Sequence, residues 1–308
     1  MPAISVERVA LVHDEQVGLE HLIREVTFNK VDKPFGFVIP TPSKPGVFKA
    51  DGFSWSTVER KFPMAAPSEQ MAAGFGSGAG RLGGAGGVKV LEAKRVGSFA
   101  AYVLKAEDGK GLKDWLDRNR FVTTPSSEAW LNRYSKLGFY FAALRFEPSF
   151  FKEKVAHIGR WFGSETLRIS FASAVPYYPY AEPDREDVVP DRVLVLWLFT
   201  NGPARVPVAA VQGPEGIVYK KPWREGFRRG ALPVGDLTSL VGEETFKALL
   251  IPKGGSDWQV QVFEDQKRSR KGFGDVLLVP EAPREFSADA LEKAKVLLPL
   301  LDPALEAK

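Results

Sequence analysis

The longest clean apolar run in the chain, Val193-Leu-Val-Leu-Trp-Leu-Phe199, has only seven residues, and that length constrains the fold more than any other feature. It falls far short of the roughly 18 to 20 residues that a membrane-spanning helix needs. The run is rich in β-branched and aromatic side chains and reads as a buried strand. Other short apolar runs along the chain are bounded by glycine and proline in the same way. Val6 to His13 and Leu19 to Phe28, separated by a polar turn at Glu15 to Gly18, suit a hairpin. Phe35 to Ile39 makes a further strand stopped by Pro40, Pro42 and Pro45, which cannot donate to a central ladder.

Strand-like sequence recurs at Val88 to Val96, Phe99 to Ala106, Phe139 to Phe146, Leu167 to Ala172, Val206 to Val211, Trp258 to Phe263 and Val276 to Val279. Helices are fewer. A short one is expected within Phe53 to Phe62. Another carries Leu112, Trp115 and Leu116 at i, i+3, i+4, which places Trp115 against the sheet. A third runs from Pro125 to Leu137, with Thr124 as cap and Gly138 as stop. Leu240 to Leu250 and a segment opening at Ser287 complete the set. The expected class is α+β, with mostly antiparallel sheets and a few short packed helices. A length of 308 residues fits two halves, 1–150 and 151–308, that could share one continuous core.

Composition narrows the chemistry. The chain has no cysteine, so disulfides, thiolate metal sites, iron–sulfur clusters and cysteine nucleophiles are excluded. The net charge of +4 is too small to demand a nucleic-acid partner. Gly78-Ala-Gly-Arg-Leu-Gly83 matches the dinucleotide fingerprint but follows a polar loop and precedes a strand, whereas the fingerprint requires a strand delivering its glycines to a helix N-terminus. The glycine-rich segment 71–87 is therefore read as a mobile surface loop with no cofactor. His13 and His21 flank the first turn and could share a metal with Asp14 or Glu20, but the spacing fits no established ligand pattern, so no metal site is assigned. No G-x-S-x-G elbow is present.

Two features point to binding. Lys220 to Arg229 carries five bases against one acid and interleaves Trp223 and Phe227 in an expected loop, and Lys267-Arg-Ser-Arg-Lys271 adds four bases in an expected hairpin turn. Pro176-Tyr-Tyr-Pro-Tyr180 holds three tyrosines on extended backbone. Exposed, they would form a recognition surface; buried, they would cover the end of a sheet with wet hydroxyls. The expected binding set is Tyr177, Tyr178, Tyr180, Trp223, Arg224, Arg228 and Arg229. Glu182, Asp184, Glu186, Asp187 and Asp191 form an acidic stretch that could take calcium or pair with the basic segments.

Several stretches resemble one bacterial family, domain of unknown function 2330: Glu7 to Asp14, His21 to Phe28, Phe35 to Pro42, Leu112 to Asp117, Pro176 to Tyr180, Pro222 to Gly226 and Phe263 to Gln266. The resemblance implies a bacterial origin and export behind a signal peptide, and supplies no catalytic residues. The N-terminus lacks the charged and apolar regions of such a peptide, which suggests an extracytoplasmic body already trimmed. The expectation is a non-enzymatic binding or structural module of the envelope or cell surface. Its partner would be a surface protein or acidic polymer, with no specific nucleic acid and no membrane span in this chain. A glycan-cleaving hydrolase working through paired carboxylates is the rival, since 38 acidic residues leave room for such a pair.

Overall fold

The computed structural model describes residues 4–28, 36–63, 87–147, 162–163, 165–183, 192–213, 216–248, 258–267, 270 and 272–281. Glycine-rich 71–86, the expected helix at Ser287 and most of the acidic stretch lie outside the described residues.

The described chain is mostly sheet, broadly α+β, with mixed and antiparallel pairing. The first hairpin forms as its pattern dictates: β1 (Ile4–Asp14) and β2 (Leu19–Phe28) pair antiparallel around the turn at 15–18. They lie inside an eight-stranded sheet with β4 (Gly46–Lys49), β8 (Phe162–Gly163), β9 (Leu167–Ala172), β11 (Val193–Thr200), β14 (Arg224–Leu232) and β15 (Trp258–Asp265). Its order is β14-β15-β11-β1-β2-β9-β4, with β8 pairing β2 off that path. The sheet thus draws strands from both halves of the sequence. β11, the long apolar run, pairs parallel with β1 and antiparallel with β15, so the expected antiparallel pattern has a parallel exception at its centre.

Side chains alternate across a strand, and here both faces are covered. Val9 and Leu11 of β1, with Leu194, Leu196 and Leu198 of β11, enter one core; Ala10, Val12, Val195, Trp197 and Phe199 enter the other. This double burial explains why the β11 sequence is continuously apolar rather than alternating. The second core is closed by α1 (Trp55–Lys61), which Ser54 caps, and by α4 (Val234–Val241).

The first core is shared with two four-stranded sheets. One is ordered β3 (Gly36–Thr41), β7 (Tyr140–Phe146), β6 (Phe99–Ala106), β5 (Val88–Val96). The other is ordered β10 (Tyr177–Tyr178), β16 (Phe273–Pro280), β12 (Arg205–Gly213), β13 (Gly216–Lys220). β3 continues through Pro40 instead of stopping there, because β3 is an edge strand where a missing N–H donor is tolerated. Trp115 is buried on α2 (Gly109–Arg118) together with Leu112 and Leu116, edge-on to Tyr102 of β6. The third helix, α3 (Ser127–Lys136), starts two residues later than Pro125 and ends before Gly138, whose φ is +74°.

Three local expectations are corrected. The expected helix over Leu240 to Leu250 appears as α4 and a separate α5 (Glu243–Ala248), divided at Gly242, where φ is +79° and a Cβ would press on the Gly52 backbone. The basic stretch from Arg224 is a strand, β14, and not a loop. Lys267–Lys271 does not turn a hairpin: β15 before it and β16 after it belong to different sheets.

Candidate functional site

Pro176 and Pro179 hold the tyrosine segment extended, and β10 pairs with the edge of β16. Tyr177, Tyr178 and Tyr180 are all buried. Their hydroxyls, expected to stay wet if buried, each end on a carboxylate instead, because a buried O–H without an acceptor would cost about 1–3 kcal/mol. Tyr177 Oη donates to Asp275 Oδ2 at 3.0 Å, and Tyr134 Oη donates to the same oxygen at 2.9 Å. Tyr178 Oη donates to Glu7 Oε1. Tyr180 Oη donates to Asp265 Oδ2 at 2.7 Å.

Around these rings lies a buried knot of charge. Arg24 Nε stands 2.9 Å from one Glu7 oxygen as an ion pair, and Arg270 Nη2 donates to the other at 3.2 Å. Arg270 also reaches Glu182 at 3.3 Å and stacks its guanidinium 4.4 Å from the Tyr180 ring centre. Arg192 binds Glu182 at 2.8 Å, and Lys267 binds Asp265 at 3.1 Å. The acidic stretch therefore does meet a basic segment, at Glu182 and Arg270. Burial works against the Glu7 carboxylate, yet Arg24, Arg270, Tyr178 and Arg192 together overcome it and hold its pKa down at about 2.

The expected binding set divides between the interior and the surface. Trp223 sits 5.6 Å, edge-on, from both Tyr178 and Tyr180, so sequence reasoning brought the right aromatic groups together. Trp223 is itself buried, and the four aromatic residues present no exposed recognition face. Arg224 is exposed but bound to the buried Glu264 at 2.6 Å. Arg228 is clamped between Glu225, at 2.7 Å to Nε, and Glu281. Arg229 is exposed on β14 with no ion pair among the described residues.

β14 is the edge of the large sheet and β13 the edge of its neighbour, joined through Lys221 to Trp223. Together they expose Lys220, Lys221 and Arg229, beside Val218 and the 58%-exposed Tyr219. Sequence reasoning included the lysines in its basic segment but omitted Tyr219, which only the exposed edge of β13 reveals.

The two histidines of the first hairpin are both buried and cannot share an ion. His21 is paired opposite Val12, which enters the second core, whereas His13, one residue on, projects to the other face opposite Glu20. His13 Nε2 lies 3.1 Å from the Ser173 carbonyl oxygen, and His21 Nδ1 lies 2.7 Å from Ser170 Oγ. Burial lowers both, to about 4 for His13 and about 3 for His21, so both are neutral. Among the described residues no group of three or more His, Cys, Asp or Glu side chains is placed to hold a metal.

A cleft of about 440 Å³ opens at the opposite edge of the large sheet, between β4 and the β5–β6 turn. Phe48, Lys49, Lys94, Arg95 and Arg168 line it, with Asp51 as the acidic residue of the wall. These residues were missed because β4 was not recognised as a strand. The pairs Phe48-Lys49 and Lys94-Arg95 are the signal that sequence offered, and neither is unusual alone.

A family model described as an uncharacterised protein conserved in bacteria, DUF2330, matches residues 5–185. No curated protein matches the chain. Among solved structures, the chain is similar to baculovirus P35, at 9% identity and a TM-score of 0.41, covering 90% of this chain and 97% of that one. A mutated baculovirus P35 after caspase cleavage gives 10% identity and a TM-score of 0.35, covering 91% of this chain and 100% of that one.

Proposed function

This chain belongs to the DUF2330 family of bacterial proteins, and from that premise we propose that it is a non-enzymatic binding module of the envelope or cell surface that captures an acidic partner along the β13–β14 edge. The observation that carries this reading is the exposure of Lys220 at the end of edge strand β13, Lys221 in the short connection that follows, and Arg229 on edge strand β14, with exposed Tyr219 next to Lys220 in the chain. Arg and Tyr are favoured at binding surfaces, and cations held on a rigid sheet edge attract carboxylate or phosphate groups without first being ordered. The envelope placement rests on the export that the family resemblance implies. Among the described residues, no helix is long and apolar enough to cross a membrane.

The rival reading, a hydrolase with paired carboxylates, draws less support. Glu7 and Asp265 are buried and spent on arginine, lysine and tyrosine, where a glycan has no access, and the partly exposed Glu182 is held by Arg192 and Arg270. A working pair needs one protonated and one ionised carboxyl flanking an accessible bond.

The test is retention of the full chain on immobilised polyglutamate at low salt, compared with a Lys220→Ser/Lys221→Ser/Arg229→Ser variant. The reading expects binding by the parent and about ten-fold weaker binding by the variant, with an unchanged unfolding midpoint. Equal binding by both would overturn it, as would release of reducing ends from a bacterial glycan by the purified chain.

A further inference from the structure

We infer that Asn201–Gly202, in the link between β11 and β12, is a self-modification site: it closes to a succinimide and reopens as an aspartyl or isoaspartyl residue when the β1–β2 turn lets go of it. The site does not depend on the function proposed above. The chain has four asparagines, Asn29, Asn119, Asn132 and Asn201, and Asn201 alone precedes glycine. The reaction consumes only water. The Gly202 backbone nitrogen gives up its proton and bonds to Asn201 Cγ, the Cγ–Nδ2 bond breaks, and the side-chain nitrogen leaves as ammonia with that proton. Water then adds to either carbonyl of the imide ring and opens it. A glycine in second place favours ring closure, because it has no side chain to shield its nitrogen or restrict its backbone.

The contacts of the fold call for this labile pair. Asn201 Oδ1 accepts from the Glu15 N–H at 2.8 Å, and its Nδ2 donates to Asp14 Oδ1 at 2.8 Å, so one side-chain amide ties the end of β11 to the β1–β2 turn. Only an amide offers both an acceptor and a donor there; a carboxylate lacks the donor. At Gly202, a Cβ would run into the Glu15 carboxyl group and would have to push it off Arg205.

The same contacts hold the reaction in check. Ring closure requires a free Gly202 nitrogen and an Asn201 Cγ swung against it. In the fold the Gly202 N–H donates to Thr200 Oγ1 at 3.1 Å, and both ends of the amide are held by the turn. Conversion therefore tracks the population of chains in which the turn has detached. Once formed, the product cannot restore the tie. An aspartate at this position has no Nδ2–H to give and faces the buried Asp14, whose Oδ1 keeps the Gln16 N–H and whose Oδ2 has no hydrogen-bond partner among the described residues. An isoaspartyl link also lengthens the main chain shortly before Arg205, whose N–H is fixed to Gln261. The change runs one way and releases the turn.

The experiment holds the full chain in mildly alkaline buffer, folded or in urea, and follows each asparagine by peptide mass spectrometry and isoaspartyl methylation. Conversion is expected at Asn201 and not at Asn29, Asn119 or Asn132, and should be about a hundred-fold slower in the folded chain than in urea, since three hydrogen bonds must open. Asp14→Ala and Thr200→Val should each speed conversion of the folded chain about five- to ten-fold. Asp14→Asn, which still presents an oxygen to Nδ2, should restore the slow rate. Asn201→Asp, the product made directly, should unfold at lower denaturant than the parent. Where Asp14→Ala does not fold, Thr200→Val carries the test. Equal rates for folded chain and urea, no conversion of Asn201 in urea, or folded rates unmoved by the Asp14 and Thr200 variants overturn the inference.

Discussion

The charged knot around Glu7 and the basic edge of β13–β14 are built from the same residue types within one stretch of structure, yet they differ in what answers each charge. In the knot, Arg270 is shared between Glu7 and Glu182, and Tyr178 and Tyr180 donate to carboxylates beside it. At the edge, Lys220, Lys221 and Arg229 face solvent. A buried charge left without a partner is costly, so the interior must be closed on itself; a surface charge carries no such requirement and remains available. The proposed function rests on the open set, and the tyrosines that look like a recognition motif serve the closed one.

Breaking the knot should produce the largest effect. Arg270→Met removes the shared cation and leaves Glu7 buried with fewer partners and the partly exposed Glu182 with one fewer, for an expected loss of about 3–5 kcal/mol in denaturant unfolding. Tyr178→Phe, which deletes only one donor to Glu7, should cost about 1.5–3 kcal/mol. A loss below the range of error in both variants would mean that the knot is open to water.

Glu7 and Glu20 are both buried on the same face of the β1–β2 hairpin. Burial raises the pKa of Glu20, and the Tyr177 N–H, at 2.8 Å, offsets this only in part. Glu7, depressed to about 2, contributes stability above its ordinary value of 4.5 that is lost as pH falls toward about 2. Glu20 has the opposite sign: its contribution is complete below 4.5 and is lost as pH rises through its elevated value. Neutral His13 and His21 add a loss that begins as pH drops below 6.5 and runs down to about 4 and about 3. Glu20→Gln should therefore gain stability relative to the parent as pH is raised from 5 to 8, while Glu7→Gln should lose the lowest part of the acid limb. Parallel stability profiles for Glu20→Gln and the parent would contradict the assignment. The smallest effect is expected at Arg228, which is partly exposed between Glu225 and Glu281: Arg228→Ser should cost no more than about 1 kcal/mol and leave capture of acidic polymer largely intact.

Much of the strand layout was legible because turn residues and apolar periodicity speak locally. The hairpin of β1 and β2, the β5–β6 pair joined at Gly97-Ser98, and the Trp115 helix are set by neighbours in sequence. What stayed hidden depends on distant partners. Nothing near Val193 to Phe199 reveals that β1, nearly two hundred residues earlier, will lie parallel to it. Arg228 reads as a surface cation until Glu281 is seen beside it, and Tyr178 reads as amphipathic until Glu7 is placed at its hydroxyl. The basic cleft required both β4 and the β5 turn to be known, and its residues are separated by more than forty positions.

The most direct test of the division between closed and open charge is a salt titration of polyglutamate binding by the parent chain and by the Lys220→Ser/Lys221→Ser/Arg229→Ser variant. Affinity of the parent should fall steeply as salt rises, and the variant should be weak and nearly salt-independent, because screening acts on exposed cations and hardly on the buried pairs. Equal salt slopes for the two proteins would contradict the account.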